Sequence, residues 1–223
     1  SHYGLTPPCT NYIKEKRIRN VYYSVTDFDV RSGDKSKKIL KKNQINIKKI
    51  APSRNKDFYK SYYLHHKSKF PLIDAKIAVS KDYFSKNKKE KWISNRASRR
   101  RAHLLRSMYD CILTTHKTIN DDNPQLDCRI NGLEKKSPDI FILDRFLKLK
   151  KNLKLFKTKN KRKIFIITTK KNNNIFKYFK KRGVRFILFD KKNNNEDLYI
   201  ILTKIKRLGY SRVFLESGIT FLY

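Results

Sequence analysis

Ile164-Phe165-Ile166-Ile167-Thr168 opens a stretch that alternates between two kinds of segment. It is followed by Asn174 to Lys181, by Val184-Arg185-Phe186-Ile187-Leu188-Phe189, by Glu196 to Leu208 and by Val213-Phe214-Leu215. The short apolar runs have strand length and are rich in β-branched and aromatic residues. The segments between them are long enough for helices, and Gly183 and Gly209 sit where helix C-terminal caps belong. Repeated strand and helix predicts a mainly parallel sheet covered on both faces. Working outward, the same alternation extends back to Pro71. A strand is expected at Leu72 to Val79, then a charged loop up to Trp92, then a helix N-capped by Ser94. That helix should bury a stripe of Ala97, Leu104, Leu105 and Met108, with Arg99, Arg100 and Arg101 mostly outside. Strands at Cys111 to Thr114 and Ile140 to Leu143 flank a short helix near Lys117.

Before Pro71 the pattern changes. Pro7-Pro8 suits the first turn of a helix, predicted from Cys9 to Lys16. A strand follows at Val21 to Val25, a loop through Asp27-Phe28-Asp29 and Ser32-Gly33-Asp34, a helix at Lys35 to Lys42 and an edge strand at Ile45-Asn46-Ile47. Ser53 to Lys69 is aromatic and basic. Phe58, Tyr59, Tyr62, Tyr63 and Leu64 recur at helical spacing and are expected to pack a helix onto its neighbour rather than to stack on RNA bases. His65 and His66 are adjacent, so they diverge on a helix and cannot chelate one metal as an i, i+4 pair would. The expected organisation is therefore a first domain at 1–50, a connecting segment at 51–69 and a second domain at 70–223.

The 223 residues carry 55 Lys and Arg against 19 Asp and Glu, a net charge of +36. Charge of that size draws anionic metabolites towards clefts. The lysines are spread through every segment beside many Asn residues, as in Lys170-Lys171-Asn172-Asn173-Asn174, and do not form one face, so nucleic acid is not the expected partner. Cys9, Cys111 and Cys128 are an odd number without a signal peptide, which suits a reducing cytoplasm. The longest apolar runs fall far short of the roughly 20 residues that span a bilayer.

Ser1-His2-Tyr3-Gly4-Leu5-Thr6-Pro7-Pro8-Cys9 resembles the second half of a zinc loop, Cys-Ser-His-Tyr-Gly-x-Thr-Pro-Pro-Cys. Downstream, Asp74 to Ser80, Trp92-Ile93-Ser94, the Leu-Leu-Arg ending at Arg106, Thr118 with Asp122-Asn123-Pro124-Gln125-Leu126 and Arg129, and Phe214-Leu215-Glu216-Ser217-Gly218 follow in order. Together they are similar to the bifunctional riboflavin-biosynthesis deaminase/reductase family. The resemblance implies the C-terminal part of a cytidine-deaminase-like α/β/α sandwich, followed by a dihydrofolate-reductase-like α/β domain without its last elements. It also implies a fragment truncated at both ends.

In such a family Cys9 is a zinc ligand whose companions, a histidine and another cysteine, precede Ser1 together with a proton-shuttling glutamate. This piece is accordingly expected to lack deaminase activity. The reductase half implies NADPH and a phosphoribosyl pyrimidine, 5-amino-6-(5-phosphoribosylamino)uracil, whose ribosyl group becomes ribityl. Ala78, Trp92, Thr118, Asp122 and Gly218 fall at cofactor-side positions, and Lys76, Ser94, Arg106, Leu126, Arg129 and Glu216 at substrate-side positions. Asp122 is the best candidate for a catalytic residue. Guanidinium groups suit phosphate oxygens, and Glu216 suits sugar hydroxyls at a strand end. The sequence departs from the pattern at Lys81-Asp82-Tyr83, at Glu90, at Arg145, which is a candidate for the cofactor's 2′-phosphate, and at Ser217. A homo-oligomer is left open. The rival reading is a basic RNA-binding α/β module without catalysis, recognised by steep salt dependence and no saturable NADPH site.

Overall fold

The computed structural model describes residues 3–27, 29, 31, 32, 34–50, 55–85, 93–157, 162–218 and 221. The chain divides into two compact units, Ser1–Phe70 and Pro71–Tyr223. The first contains α1 (Cys9–Glu15), β1 (Asn20–Tyr23), α2 (Lys35–Lys42), β2 (Asn46–Lys49) and α3 (Asn55–Lys67). β1 and β2 pair in parallel, with Val21 opposite Ile47. Leu40 and Ile45 are the buried hydrophobic residues among those described, so this unit has little core of its own. The aromatic segment is helical as expected, with Tyr59, Tyr62 and Tyr63 each about two-fifths exposed. Tyr62 turns its hydroxyl to Asp27 at 3.1 Å, a polar tie that the spacing did not announce.

The second unit runs β3 (Leu72–Ala75), α4 (Arg96–Arg106), β4 (Cys111–Thr115), α5 (His116–Asp122), β5 (Asp139–Leu143), β6 (Ile164–Thr168), α6 (Asn173–Lys180), β7 (Val184–Leu188), α7 (Asn194–Arg207) and β8 (Arg212–Leu215). All six strands pair in parallel, in the order β3-β8-β4-β5-β6-β7. The central strands are buried along nearly their whole length, whereas β3 and β7 at the two edges are mostly not. This is why the central strands read as continuous apolar runs. Ile112, Ile140, Ile142, Ile166 and Phe214 join Leu126, Leu149, Leu153, Leu155 and Phe179 in one core cluster. Phe141 stacks on Phe165 at 4.4 Å and takes Tyr210 edge-on at 4.9 Å.

Local chemistry sets the boundaries. Asn172 and Asn193 cap α6 and α7 by accepting from the Ile175 and Glu196 N–H groups at 3.0 and 2.9 Å. Gly183 and Gly209 end these helices at φ +77° and +95°, a conformation glycine adopts without a Cβ penalty. The Asp110 carboxylate accepts from Ser211 and Arg212 N–H at 2.7 and 2.8 Å, tying the start of β8 to the start of β4.

Three expectations need correction. Asn95, not Ser94, caps α4, because its extended backbone lets Oδ1 reach the Ser98 N–H at 2.8 Å, while the Ser94 carbonyl accepts from Arg99 instead. Met108 lies beyond the end of α4 and is exposed, as is Ala97; Ala102 is the buried position and Leu105 packs on the core. β3 stops at Ala75 rather than Val79, since its ladder partner β8 ends at Leu215 and Ile77 and Val79 have gone out to solvent.

Candidate functional site

In an open α/β sheet the ligand crevice lies beyond the carboxyl ends of the strands where the strand order reverses. Here the chain builds outward from β4 through β5 and β6 to β7, then returns to insert β8 between β3 and β4. The tip of β8 is therefore the place to look. Its ladder runs one residue further: Lys76 N–H donates to the Leu215 carbonyl and Glu216 N–H to the Leu113 carbonyl, both at 3.0 Å. These bonds fix Lys76 and Glu216 at the sheet's carboxyl edge.

Glu216 meets Arg106 there, although 110 residues separate them in sequence. Arg106 Nε donates to Glu216 Oε1 at 2.6 Å and Nη2 to Oε2 at 3.0 Å, a two-pronged pair with side chains only 13% and 8% exposed. Burial works against the Arg106 charge, but the hydrogen bond and charge of Glu216 outweigh it, and the guanidinium pKa moves up. The third arm, Nη1, donates to the main-chain carbonyl of Asp127 at 3.0 Å. Arg129 belongs to the same network: its Nε donates to Asp127 Oδ1 at 2.9 Å and its Nη2 to Gln125 Oε1 at 2.7 Å.

The loop carrying Asp127 and Arg129 is held by unusual means. Asn123 and Leu126 have left-handed φ of +44° and +53°. Arg162 donates to the Leu126 and Gln125 carbonyls, each at 2.7 Å, and Ser137 Oγ accepts from Cys128 N–H at 2.9 Å. His103 Nδ1 lies 2.8 Å from the Asp127 carbonyl. A carbonyl only accepts, so Nδ1 carries the proton. Burial lowers the His103 pKa, and the nearby Arg106 and Arg129 charges add to that against the opposing pull of the carbonyl. The imidazole is thus a neutral donor near pH 7.

Arg106, Glu216 and Arg129 come together, joined through Asp127. The remaining candidates are more dispersed. Lys76 and Ala78 follow β3 and Ser94 precedes α4, all half-buried. Thr118 lies in the first turn of α5, 3.1 Å from Thr115 through their hydroxyls. Asp122 closes α5 and is exposed. Leu126 turns its side chain into the core cluster, so it bears on the site through the path of its loop rather than by a side chain facing a substrate. Gly218 is exposed, with open space around the position of a Cβ. Trp92 and Glu90 lie outside the described residues. Arg145, the candidate for the cofactor's 2′-phosphate, has its Nη2 3.1 Å from the buried Asp197 carboxylate. Cys9 is an exposed thiol at the start of α1, and among the described residues no group of three His, Cys, Asp or Glu could hold a metal.

Asp127, His103 and Arg162 were not singled out by sequence. Asp127 sits inside the recognised Asp122 to Arg129 stretch, which is a signal of sorts; Arg162 has none. Two buried hydroxyls near the strand tips, Thr114 Oγ1 and Ser217 Oγ, have no hydrogen-bond partner among the described residues. Orphaned buried hydroxyls are costly, by roughly 1–3 kcal/mol each. Ser217 adjoins the exposed Gly218 backbone at the switch point, a polar edge that suits a hydroxyl-rich or anionic ligand. A shallow groove of about 470 Å³ along α6, lined by Asn173, Phe176, Lys177, Lys180 and Lys181, carries none of these groups.

A second polar tie bears on stability. Tyr109 donates its hydroxyl to Asp74 Oδ2 at 2.6 Å. Burial first, and this bond second, push the Tyr109 pKa up to about 12. Between the ordinary tyrosine value near 10 and about 12 the unfolded chain gives up this proton while the folded chain keeps it, so stability falls as pH rises through that window. Denaturant melts at pH 9 and pH 11.5 are expected to show a smaller alkaline loss for Tyr109→Phe than for the unaltered protein. An equal loss in both would assign it to other groups.

Fold and site together define an open, parallel α/β protein whose charged groups converge at the carboxyl end of its switch-point strand. The RibD C-terminal domain family matches residues 71–223, and the chain belongs to it. Among curated relatives, the riboflavin biosynthesis protein RibD of Aquifex aeolicus is 29% identical over 225 residues, covering 98% of this chain and 60% of the relative. The solved structure of Acinetobacter baumannii RibD superposes with a TM-score of 0.78 at 21% identity, over 99% of this chain and 60% of that one. A Thermotoga maritima structure, titled as a diaminohydroxyphosphoribosylaminopyrimidine deaminase/5-amino-6-(5-phosphoribosylamino)uracil reductase, gives 0.75 at 23% identity, over 97% of this chain and 58% of that one. The chain thus spans about 60% of the length of these relatives. No helix among the described residues is long and apolar enough to cross a membrane.

Proposed function

We propose that the second unit is the reductase of riboflavin biosynthesis, taking 5-amino-6-(5-phosphoribosylamino)uracil to its ribityl form at the tip of β8. The carrying observation is the buried Arg106–Glu216 pair, joined through Asp127 to Arg129. NADPH would supply a hydride for the sugar carbon. The chain's own part is to bind, orient and keep water out, which is the main protein contribution when a cofactor carries the reactive group. Arg106 and Arg129 mark the phosphate end. Glu216, whose oxygens each keep a lone pair beyond the Arg106 bond, accepts from ribose hydroxyls, with Lys76 beside it on the sheet edge, and Ser94, before the start of α4, is a further substrate-side residue. Gly218 offers main-chain N–H to the cofactor's phosphates, and Ala78, Trp92, Thr118 and Asp122 complete the cofactor side.

The first unit is proposed as the closing part of a zinc deaminase domain, with Cys9 one of its metal ligands, so that the boundaries are 1–50, a connecting 51–69 and 70–223. The cytoplasm is the proposed setting, in keeping with three free thiols. The test is NADPH oxidation by the full-length protein. Oxidation is expected only with the deaminated phosphoribosyl pyrimidine, and Asp122→Asn is expected to lose most of it, about a hundredfold in turnover. Unchanged turnover in that variant would remove Asp122 from the site.

A further inference from the structure

We infer that Asp127 is a positioning residue that sets the phosphate end of the site, a refinement that rests on the reductase reading above. Its two polar groups do different work. The main-chain carbonyl is clamped from α4 by His103 at 2.8 Å and Arg106 at 3.0 Å. With Arg162 on the Gln125 and Leu126 carbonyls and Ser137 on the Cys128 N–H, each residue from Gln125 to Cys128 has a main-chain group tied down. The Asp127 carboxylate, 13% exposed, is therefore presented in one direction, and it takes Arg129 by Nε at 2.9 Å.

The geometry of the guanidinium then decides what is left. Asp127 and Gln125 occupy the Nε–Nη2 edge of Arg129. Nη1 makes no hydrogen bond among the described residues and the side chain is 55% exposed, which leaves the Nη1 donors, with the second N–H of Nη2, for a ligand. Two parallel donors are what a phosphate accepts from an arginine. Arg106, by contrast, commits its Nε–Nη2 edge to Glu216 and Nη1 to Asp127.

Charge alone does not explain anion binding here. Arg106, Arg129 and Arg162 against Asp127 and Glu216 leave one positive charge, so the direction of donors adds to a weak local field. Two effects of Asp127 oppose each other. Its negative charge repels a phosphate, while it also spares a half-exposed arginine the loss of rotamer freedom on binding. Ordering outweighs repulsion in this reading because the carboxylate is nearly enclosed and already engaged by Arg129 Nε.

The experiment is titration calorimetry of ribose 5-phosphate with the full-length protein, alongside KM and kcat for the reductase reaction. Asp127→Ala is expected to weaken ribose 5-phosphate and raise KM by roughly tenfold, with kcat within about twofold. Asp127→Asn retains an acceptor oxygen and should recover most of the loss. In an Arg129→Ala background, Asp127→Ala should add nothing further, since it acts through that side chain. Unchanged or tighter binding by Asp127→Ala, or an equal loss in the Arg129→Ala background, overturns the role of Asp127 and leaves the reductase reading standing. Arg129→Ala that binds ribose 5-phosphate as well as the unaltered protein overturns the phosphate end itself, and the role of Asp127 with it.

Discussion

Glu216→Ala is expected to cost about 3–5 kcal/mol of stability, lowering the melting temperature by roughly 10 °C, and to abolish reductase turnover. The reason is the partner left behind. Arg106 is nearly enclosed and donates two of its bonds to Glu216, so removing the carboxylate strands a buried guanidinium with only the Asp127 carbonyl to accept from it. Glu216→Gln, which keeps the shape and one acceptor but loses the charge and turns the other acceptor into a donor facing Arg106, should fall between. A double replacement by apolar residues of similar volume, Arg106→Met with Glu216→Leu, should recover much of the stability and none of the activity, because a buried pair is costly to break but not to replace. Thermal melts read the first effect and NADPH oxidation the second. Mild losses of stability in both single variants would show that the pair is solvated in solution.

Phe214→Ala should be comparably damaging by a different route, about 3–5 kcal/mol from lost burial and an unfilled cavity. Phe214 is 2% exposed, belongs to the core cluster and stacks on Tyr109 at 4.8 Å. It also lies on β8, hydrogen-bonded to strands on both sides, so neighbouring backbone has little room to collapse into the gap. Denaturant midpoints with an unchanged slope are the readout. Leu208→Ala, at an exposed position past the end of α7, is the control and should stay within about 0.5 kcal/mol.

Much of this architecture was legible because parallel strands buried on both faces leave a plain signature. Cys111 to Leu113, Ile164 to Ile167 and Val213 to Leu215 are unbroken apolar runs, and Gly183 and Gly209 mark helix ends in a conformation that disfavours side chains. What failed was local. Ser94 and Asn95 are both good caps, and only the backbone angle decides which side chain reaches an N–H. The end of β3 depends on where its partner β8 stops, which is non-local information. Tyr59, Tyr62 and Tyr63 have the spacing of a packed stripe, but spacing cannot tell burial from a polar anchor such as the one Tyr62 makes to Asp27.

The site was less legible from residues alone. Arg106 was one arginine among many, and its meeting with Glu216 depends on β8 being inserted beside β4, a fact of topology. Family resemblance picked out both, but it did not reveal that they pair with each other. Asp127 escaped notice because half of its work is done by a main-chain carbonyl, which no side-chain pattern reports. Arg145 is the opposite case: its charge is visible in the sequence and its buried partner Asp197, 52 positions later, is not.

The most direct measurement is a crystal structure of the full-length protein with NADPH and ribose 5-phosphate bound together. The expected result is the sugar phosphate at the tip of β8, its phosphate on the free edge of Arg129 and its hydroxyls on Glu216, with the cofactor's phosphates against the Gly218 backbone. Ligands bound away from that tip, with Arg129 and Glu216 touching neither, would contradict the account.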